Sequence, residues 1–296
     1  MQSPKVFIIV LHYKNWKDTN ECLKSLEKLD YPSTDSTSSL QAGSGQVPNF
    51  EIIVIDNDKE NPGFAGGMNI GIRQALEKGA DYVLLLNNDT IVEPDFLKEL
   101  VKVGESDKKI GILGPVIYDY QSKKIHFAGG KINWLYTKGI HLTEIFNLQF
   151  SIFNPVDYVT GACLLIKREV IEKIGLMDED YFLYFEDVDW CLKASRAGYK
   201  CVLVPNSKIW HKVSSSAVEE SFSYIYYHTR NGLLLAKKNA PFFIKILAYL
   251  WSFWIYKKQI IKFVTMPLKR KWAKAIMKGI GDFYRGKTGR LNNFQL

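Results

Sequence analysis

The sequence predicts an α/β fold built on a right-handed, mostly parallel central sheet. Three observations predict it. Apolar runs recur at Val6-Phe7-Ile8-Ile9-Val10-Leu11, Glu51-Ile52-Ile53-Val54-Ile55 and Tyr82-Val83-Leu84-Leu85-Leu86, and unbroken runs of this kind are sheet strands covered on both faces. Helical patterns separate them. Each run ends in short polar side chains: Tyr13 and Asn15, Asp56 and Asn57, Asn88 and Asp89. Ligands gather where such strands end at their carboxyl edge, so the coincidence marks one binding site.

Val6 to Leu11 reads as the first strand and not as a leader, because no basic segment or small-residue cleavage site accompanies it. A helix over 16–29 follows, with Cys22, Leu23, Leu26 and Leu29 on its apolar face. Residues 33–47, rich in Ser, Thr and Gly, read as a surface insertion. The second strand leads into Asn61-Pro62-Gly63-Phe64-Ala65-Gly66-Gly67, a turn whose small residues let backbone approach a ligand closely. It opens a helix that reaches Lys78 and stops at Gly79. The turn lacks both GxGxxG and the Lys-Ser/Thr of a P-loop, which disfavours a dinucleotide dehydrogenase and a P-loop ATPase.

The third strand carries the sharpest chemistry. Asp89 supplies a hard oxygen ligand with Asn87 and Asn88 beside it, which suits a Mg²⁺ or Mn²⁺ ion completed by water and phosphate. A plain Asn/Asp turn is the competing use of these residues. Shorter β-like runs follow over 110–132, then an aromatic stretch at 134–154 that reads as a loop or lid. Residues 158–166 form another strand and 167–174 a short helix. Glu186, Asp187 and Asp189 then open a helix with Val188, Cys191, Leu192 and Ser195 on one face. The helix dipole keeps a carboxylate there ionised and ready to accept a proton, although acids in a first turn also serve as caps. Residues 199–204 make a further strand, and Ile209-Trp210-His211 a separate short one after Pro205.

Composition bounds the rest. The 296 residues are 47% hydrophobic and 24% charged, which is an ordinary globular balance. Four scattered cysteines without a CxxC pair point to reduced thiols and a cytoplasmic compartment. The net charge of +8 hides an asymmetry: residues 236–296 carry 14 Lys/Arg and one acid, so the rest is slightly acidic. This divides the chain into a catalytic body over 1–235 and a basic helical segment over 236–296. The uninterrupted apolar part of that segment, Ile246 to Tyr256, has 11 residues, against the ~20 that a spanning helix needs. Its Trp, Tyr and Lys content fits a helix lying in an anionic membrane surface. A core helix or a homo-oligomer contact is the competing use. Nucleic acid is excluded as a partner, since no binding motif accompanies the charge.

Taken in order, the motifs carry more than any one of them. Asp56-Asn57, then Asn61 with Gly63-Phe64, Gly66-Gly67, Asn69 and Gly71, then Leu86-Asn87-Asn88-Asp89, Gly161-Ala162, Phe185-Glu186-Asp187-Val188-Asp189, His211 and Arg230-Asn231 resemble the family 2 inverting glycosyltransferases. The rhamnosyltransferase-like and galactofuranosyltransferase-like branch is the nearest. The resemblance implies a GT-A fold, with a nucleotide-binding part over about 1–120 and an acceptor-binding part over about 121–235. By position it implies Asp187 as catalytic base and Asp89 and His211 as ligands of a divalent cation, Mg²⁺ or Mn²⁺. Tyr13, Asp56, Asn57, Gly63, Phe64, Asn69 and Asn88 would bind the donor, a dTDP- or UDP-sugar. Glu186, Asp189 and Trp190 would meet a glycan or lipid-linked acceptor. Two positions depart from the family pattern: His12, where Asn is frequent, and Asn87, where the DXD motif has its first Asp. The activity expected is inverting sugar transfer in cell-surface polysaccharide synthesis at the inner membrane face. A nucleotide-sugar-binding protein without turnover is the alternative.

Overall fold

The computed structural model describes residues 3–32, 49–144, 153–212 and 221–291. The proposed insertion at 33–47 lies outside them, as does much of the aromatic stretch expected to form a lid. In chain order the elements are β1 (Val6–His12), α1 (Trp16–Leu26), β2 (Phe50–Asp56), α2 (Gly63–Glu77), β3 (Tyr82–Asn87), β4 (Thr90–Val92), α3 (Phe96–Ser106) and β5 (Ile110–Asp119). There follow β6 (Ile125–Phe127), β7 (Gly130–Asn133), β8 (Lys138–His141), β9 (Asn154–Val156), β10 (Cys163–Lys167), α4 (Arg168–Ile174) and α5 (Glu186–Arg196). The chain continues through β11 (Lys200–His211), α6 (Phe222–Asn239), α7 (Phe242–Thr265) and α8 (Arg270–Tyr284).

The main sheet runs β2-β1-β3-β10-β5-β11-β4, with β6 added on β5 and β9 on β11; β7 and β8 pair separately. The first three strands are parallel and in register, so His12 lies opposite Asp56 and Leu11 opposite Asn87. All seven residues of β1 are buried, as the unbroken apolar run requires at the centre of a covered sheet. Beyond β3 the sheet is mixed: β10 runs antiparallel to both β3 and β5, while β11 is parallel to β5.

Three expectations change in detail. The strand over 158–166 is shorter, because Cys163 N–H bonds Thr160 O at 3.2 Å and closes a turn at Gly161 before β10 begins. The short run at 209–211 is the end of one twelve-residue strand. Pro205 is tolerated within it because the register shifts between Val204 and Lys208, a bulge where no ladder bond is needed. The boundary placed after residue 235 falls inside α6.

Both C-terminal helices differ from a detached tail. α8 buries Ala273, Ala275, Gly279, Ile280 and Asp282, and Tyr226 of α6 donates its hydroxyl to Asp282 at 3.0 Å. α7 turns only Ala248, Ser252 and Gln259 inward. Its opposite face exposes Phe243, Ile246, Leu247, Leu250, Trp254 and Ile261, reversing the usual polarity of a surface helix.

Candidate active site

At the donor side, the ends of β1 and β2 bring together His12, Tyr13, Asp56, Asn57 and Asp58. His12 is fully buried, with Trp16 stacked on its ring at 3.8 Å and its Nδ1 bonded to Thr19 Oγ1 at 2.7 Å. Its Nε2 lies 3.3 Å from Asp58 Oδ2, without the geometry of a hydrogen bond. One ligand atom from each of His12, Asp56 and Asp58 falls within 4.8 Å of the others, a grouping able to hold a cation. Asn57 is buried and donates toward Gly63 O at 3.3 Å, while its Oδ1 has no hydrogen-bond partner among the described residues. Tyr13 is half-buried, with the Lys14 ammonium 4.8 Å from its ring centre.

The glycine turn serves a purpose other than the one expected of it. Gly63 has φ +86°, and a Cβ there would lie 2.3 Å from Phe182 O. Phe64 N–H bonds that same oxygen at 2.7 Å. The small residues therefore make room for neighbouring protein at the edge of the donor side. Asn69 is a second correction: it is buried, with its amide on Met177 O and Glu179 Oε1 and its oxygen on Met177 N–H. Every group of that side chain is spent on pinning 177–179 to α2.

Asp89 stands between β3 and β4, opposite the end of β11. His211 Nε2 lies 2.9 Å from Asp89 Oδ1, so two residues separated by 122 positions converge. One carboxylate and one imidazole make a mixed oxygen–nitrogen donor set, which suits a divalent transition-metal ion such as Mn²⁺ better than Mg²⁺, whose ligands are oxygens. Asn88 turns away and donates to Thr19 Oγ1 at 2.9 Å. Lys212, which the sequence reading overlooked, gives its backbone N–H to Asp89 O at 2.9 Å and bonds Asp18 Oδ1 at 2.8 Å and also Glu21 through its ammonium. Its only sequence signal was adjacency to His211. His126 and His141 were missed as well, and the His126 ring lies 6.0 Å from those of both His141 and His211.

Asp187, the residue expected to act as base, is held by two backbone N–H groups. The second residue of α5, it accepts the Gly161 N–H at 2.8 Å on Oδ2 and the Val188 N–H at 2.7 Å on Oδ1. Desolvation pushes its carboxyl above the usual range, opposed by these backbone donors. That balance moves a carboxylate toward the affinity a general base needs. A Cβ at Gly161 would lie 2.8 Å from the Phe64 ring, so the turn, the donor loop and the base meet at one point. Glu186 is buried with Oε2 unpartnered, and burial followed by repulsion from Asp187 raises its carboxyl.

Asp189 and Trp190 do not line the cleft. Asp189 is buried against Tyr181 Oη, Asn239 Nδ2 and Lys193 Nζ. Trp190 is fully buried and donates Nε1–H to Gly175 O at 2.9 Å. At helical spacing these two fall on the inward face of α5, which sets them in the core in place of the acceptor contact expected.

The approach to Asp187 is strained. Phe182, Tyr184 and Phe185 have φ of 66°, 69° and 76°, left-handed values that cost bulky residues of order 1–3 kcal/mol each. Aromatic contacts with α6 offset this: Phe182 stacks on Tyr227 at 5.4 Å, and Tyr184 packs on His228 at 4.4 Å. Burial lowers the His228 imidazole to about 4.

The fold is that of the GT-A glycosyltransferases, a curled central sheet flanked by helices. The chain belongs to the glycosyltransferase-like family 2, whose profile matches residues 20–232. It is 30% identical over 239 residues to a dTDP-rhamnosyl transferase of Shigella flexneri, covering 77% of each chain. It is 26% identical over 224 residues to an N-acetylglucosaminyl-diphospho-decaprenol L-rhamnosyltransferase of Mycobacterium tuberculosis, covering 68% of this chain and 71% of that one. In fold it matches a mannosyltransferase from Pyrobaculum calidifontis, solved with GDP-Man and Mn²⁺, at a TM-score of 0.56 and 14% identity over 96% of this chain and 88% of that one.

Proposed function

We propose that this glycosyltransferase moves rhamnose from dTDP-rhamnose to a hydroxyl of a lipid-linked glycan, inverting the anomeric centre. The observation that carries the reading is the Asp187 carboxylate, held by two backbone N–H groups with its proton affinity raised. Asp187 takes the acceptor proton as the hydroxyl oxygen attacks the anomeric carbon, and the bond to the diphosphate breaks on the opposite face. Asp89 and His211 would hold a Mn²⁺ or Mg²⁺ ion, which when bound neutralises charge on the leaving diphosphate. The open polar atoms of Asn57 and His12, with Asp56, would receive the nucleoside end. The names of the two rhamnosyltransferase relatives support the choice of sugar.

The reading includes residence on the inner face of the cell membrane. No helix among the described residues is long and apolar enough to cross a membrane. Support comes from the outward apolar face of α7, with Trp251 and Trp254 stacked at 4.7 Å and Lys257, Lys258 and Lys271 exposed alongside. Such a face inserts at headgroup level while lysines meet anionic lipid. A second copy of the chain is the competing occupant.

The test incubates purified protein with dTDP-rhamnose, Mn²⁺ and a prenyl-diphosphate-linked GlcNAc acceptor. Rhamnose transfer that Asp187→Asn abolishes is expected. Transfer from UDP-galactofuranose but not dTDP-rhamnose would overturn the donor assignment.

A further inference from the structure

Arg230 and Asn231 lie in the middle of α6 and are buried, at 1% and 0% exposure. Nearly all their polar contacts run to one place. Asn231 Nδ2 is 2.9 Å from Tyr181 O, 2.8 Å from Leu183 O and 2.9 Å from Tyr184 O. Arg230 Nη2 reaches Tyr181 O at 2.9 Å and Asp180 O at 3.2 Å. Arg230 Nε donates to Asn231 Oδ1 at 2.9 Å, which fixes the amide with its donor end toward the loop. The segment after α8 closes a third side: Arg230 Nη1 bonds Gly289 O, and Gly289 N–H bonds Asp180 O, each at 2.7 Å.

The loop so held is 181–185, in which Phe182, Tyr184 and Phe185 are left-handed. Its kinked backbone turns four carbonyls, those of residues 180, 181, 183 and 184, toward α6, where unbonded carbonyls would be costly. The remaining one, Phe182 O, takes the Phe64 N–H from the donor turn. Asp187 follows two residues beyond Phe185. One loop therefore touches the donor turn and leads directly into the base, and two side chains of α6 set its shape.

We propose that Arg230 and Asn231 are positioning residues that hold this loop and thereby fix Asp187 against the donor turn; the inference rests on the assignment of Asp187 as base. A role in stability alone would lower the melting temperature and leave turnover per folded molecule unchanged. Positioning lowers kcat while the donor face, built on β1 to β3, keeps its affinity.

The experiment uses the full-length chain, Asn231→Ala and Arg230→Lys. It measures kcat in rhamnose transfer, dTDP affinity by calorimetry with Mn²⁺, and amide exchange over 181–187. Asn231→Ala should lose roughly 10–100-fold in kcat, the size of a misplacement near 1 Å, with faster exchange in the loop and dTDP affinity within about threefold. Arg230→Lys keeps one donor and should fall between that variant and the parent. Parent-like kcat in both variants overturns the proposal, as does equal loss of kcat and dTDP affinity. If Asn231→Ala does not fold, Arg230→Lys decides alone: faster loop exchange with parent-like kcat counts against positioning. A parent that transfers no sugar would instead sink the functional reading, and parent-like loop exchange in Arg230→Lys would then show that no clamp exists.

Discussion

The two sides of the cleft are built on opposite terms. On the donor side, parallel strands end in polar atoms not used in hydrogen bonds: Asn57 Oδ1 and His12 Nε2 are buried without them, with Lys14 and Asn61 the left-handed non-glycine residues nearby. On the base side, each Asp187 oxygen takes one backbone N–H and keeps a lone pair for a proton, the loop before it is held by hydrogen bonds, and three aromatic residues sit in left-handed conformations. The difference separates reception from preorganisation. A face that binds many phosphate and sugar groups keeps donors and acceptors free for them. A group that must meet one proton in one direction is fixed beforehand, and strain near it is stored by its surroundings.

The contrast breaks most sharply at Asp187. Asp187→Asn retains the shape and removes the proton acceptor, so kcat should fall ~10²–10⁴-fold while calorimetry finds dTDP affinity little changed. The parent should also show an acid limb. Because burial raises the Asp187 carboxyl, the base is lost by protonation as pH falls, and kcat should drop at a pH above the ordinary aspartate value of about 4. A limb at or below that value, or one that persists in the residual turnover of Asp187→Asn, would assign the base elsewhere.

On the diphosphate side the expected effects are smaller and take the opposite form. Asp89→Ala and His211→Ala should weaken dTDP binding in Mn²⁺ by at least the ~10–100-fold that outer-shell partners of a metal are worth, and EDTA should suppress the parent. Equal dTDP affinity with and without chelator would show that the diphosphate is held without a metal. His12→Ala sharpens the point, because loss of metal-dependent binding there would move the ion to the His12, Asp56 and Asp58 grouping.

The outer face of α7 comes next. Vesicle sedimentation should weaken roughly fivefold for each of Lys257 and Lys258 changed to Ala, about 1 kcal/mol apiece on an anionic surface, and salt should mimic that loss. Trp251→Ala with Trp254→Ala should weaken it in a way salt does not reproduce. These variants leave α8 in place; removing everything from residue 240 would uncover the α6 face that α8 covers. Sedimentation unchanged in all of them, with a dimer lost in solution, would assign the face to a second copy. The smallest effect on turnover belongs to Trp190→Phe. It gives up one hydrogen bond to Gly175 O and leaves a cavity in the core, costing about 1–3 kcal/mol of stability, and should leave kcat within about twofold, whereas a sugar platform would lose acceptor affinity.

The donor side was the more legible in sequence, and the reason is physical. Unbroken apolar runs fix β1, β2 and β3, and polar residues at their ends have one edge to occupy, so the places of Tyr13, Asp56 and Asn57 follow from period alone. The pairing of Asp89 with His211 was reachable only through the order of motifs, since 122 residues separate them. Asn69, Asp189 and Trp190 were misplaced because a polar or aromatic residue beside a site reads the same whether it faces inward or outward. Their partners, Met177, Tyr181 and Gly175, come from loops without a periodic signal. The same holds for Arg230 and Asn231, whose role depends on backbone carbonyls that no side-chain pattern encodes.

The most direct test of single-step displacement through Asp187 is the anomeric configuration of the product. Proton NMR of the transferred sugar, recorded on the first turnovers from dTDP-β-L-rhamnose, should show an α-linked product formed with inversion. A β-linked product would require a covalent intermediate or a front-face route, and would contradict Asp187 as a base acting opposite the leaving diphosphate.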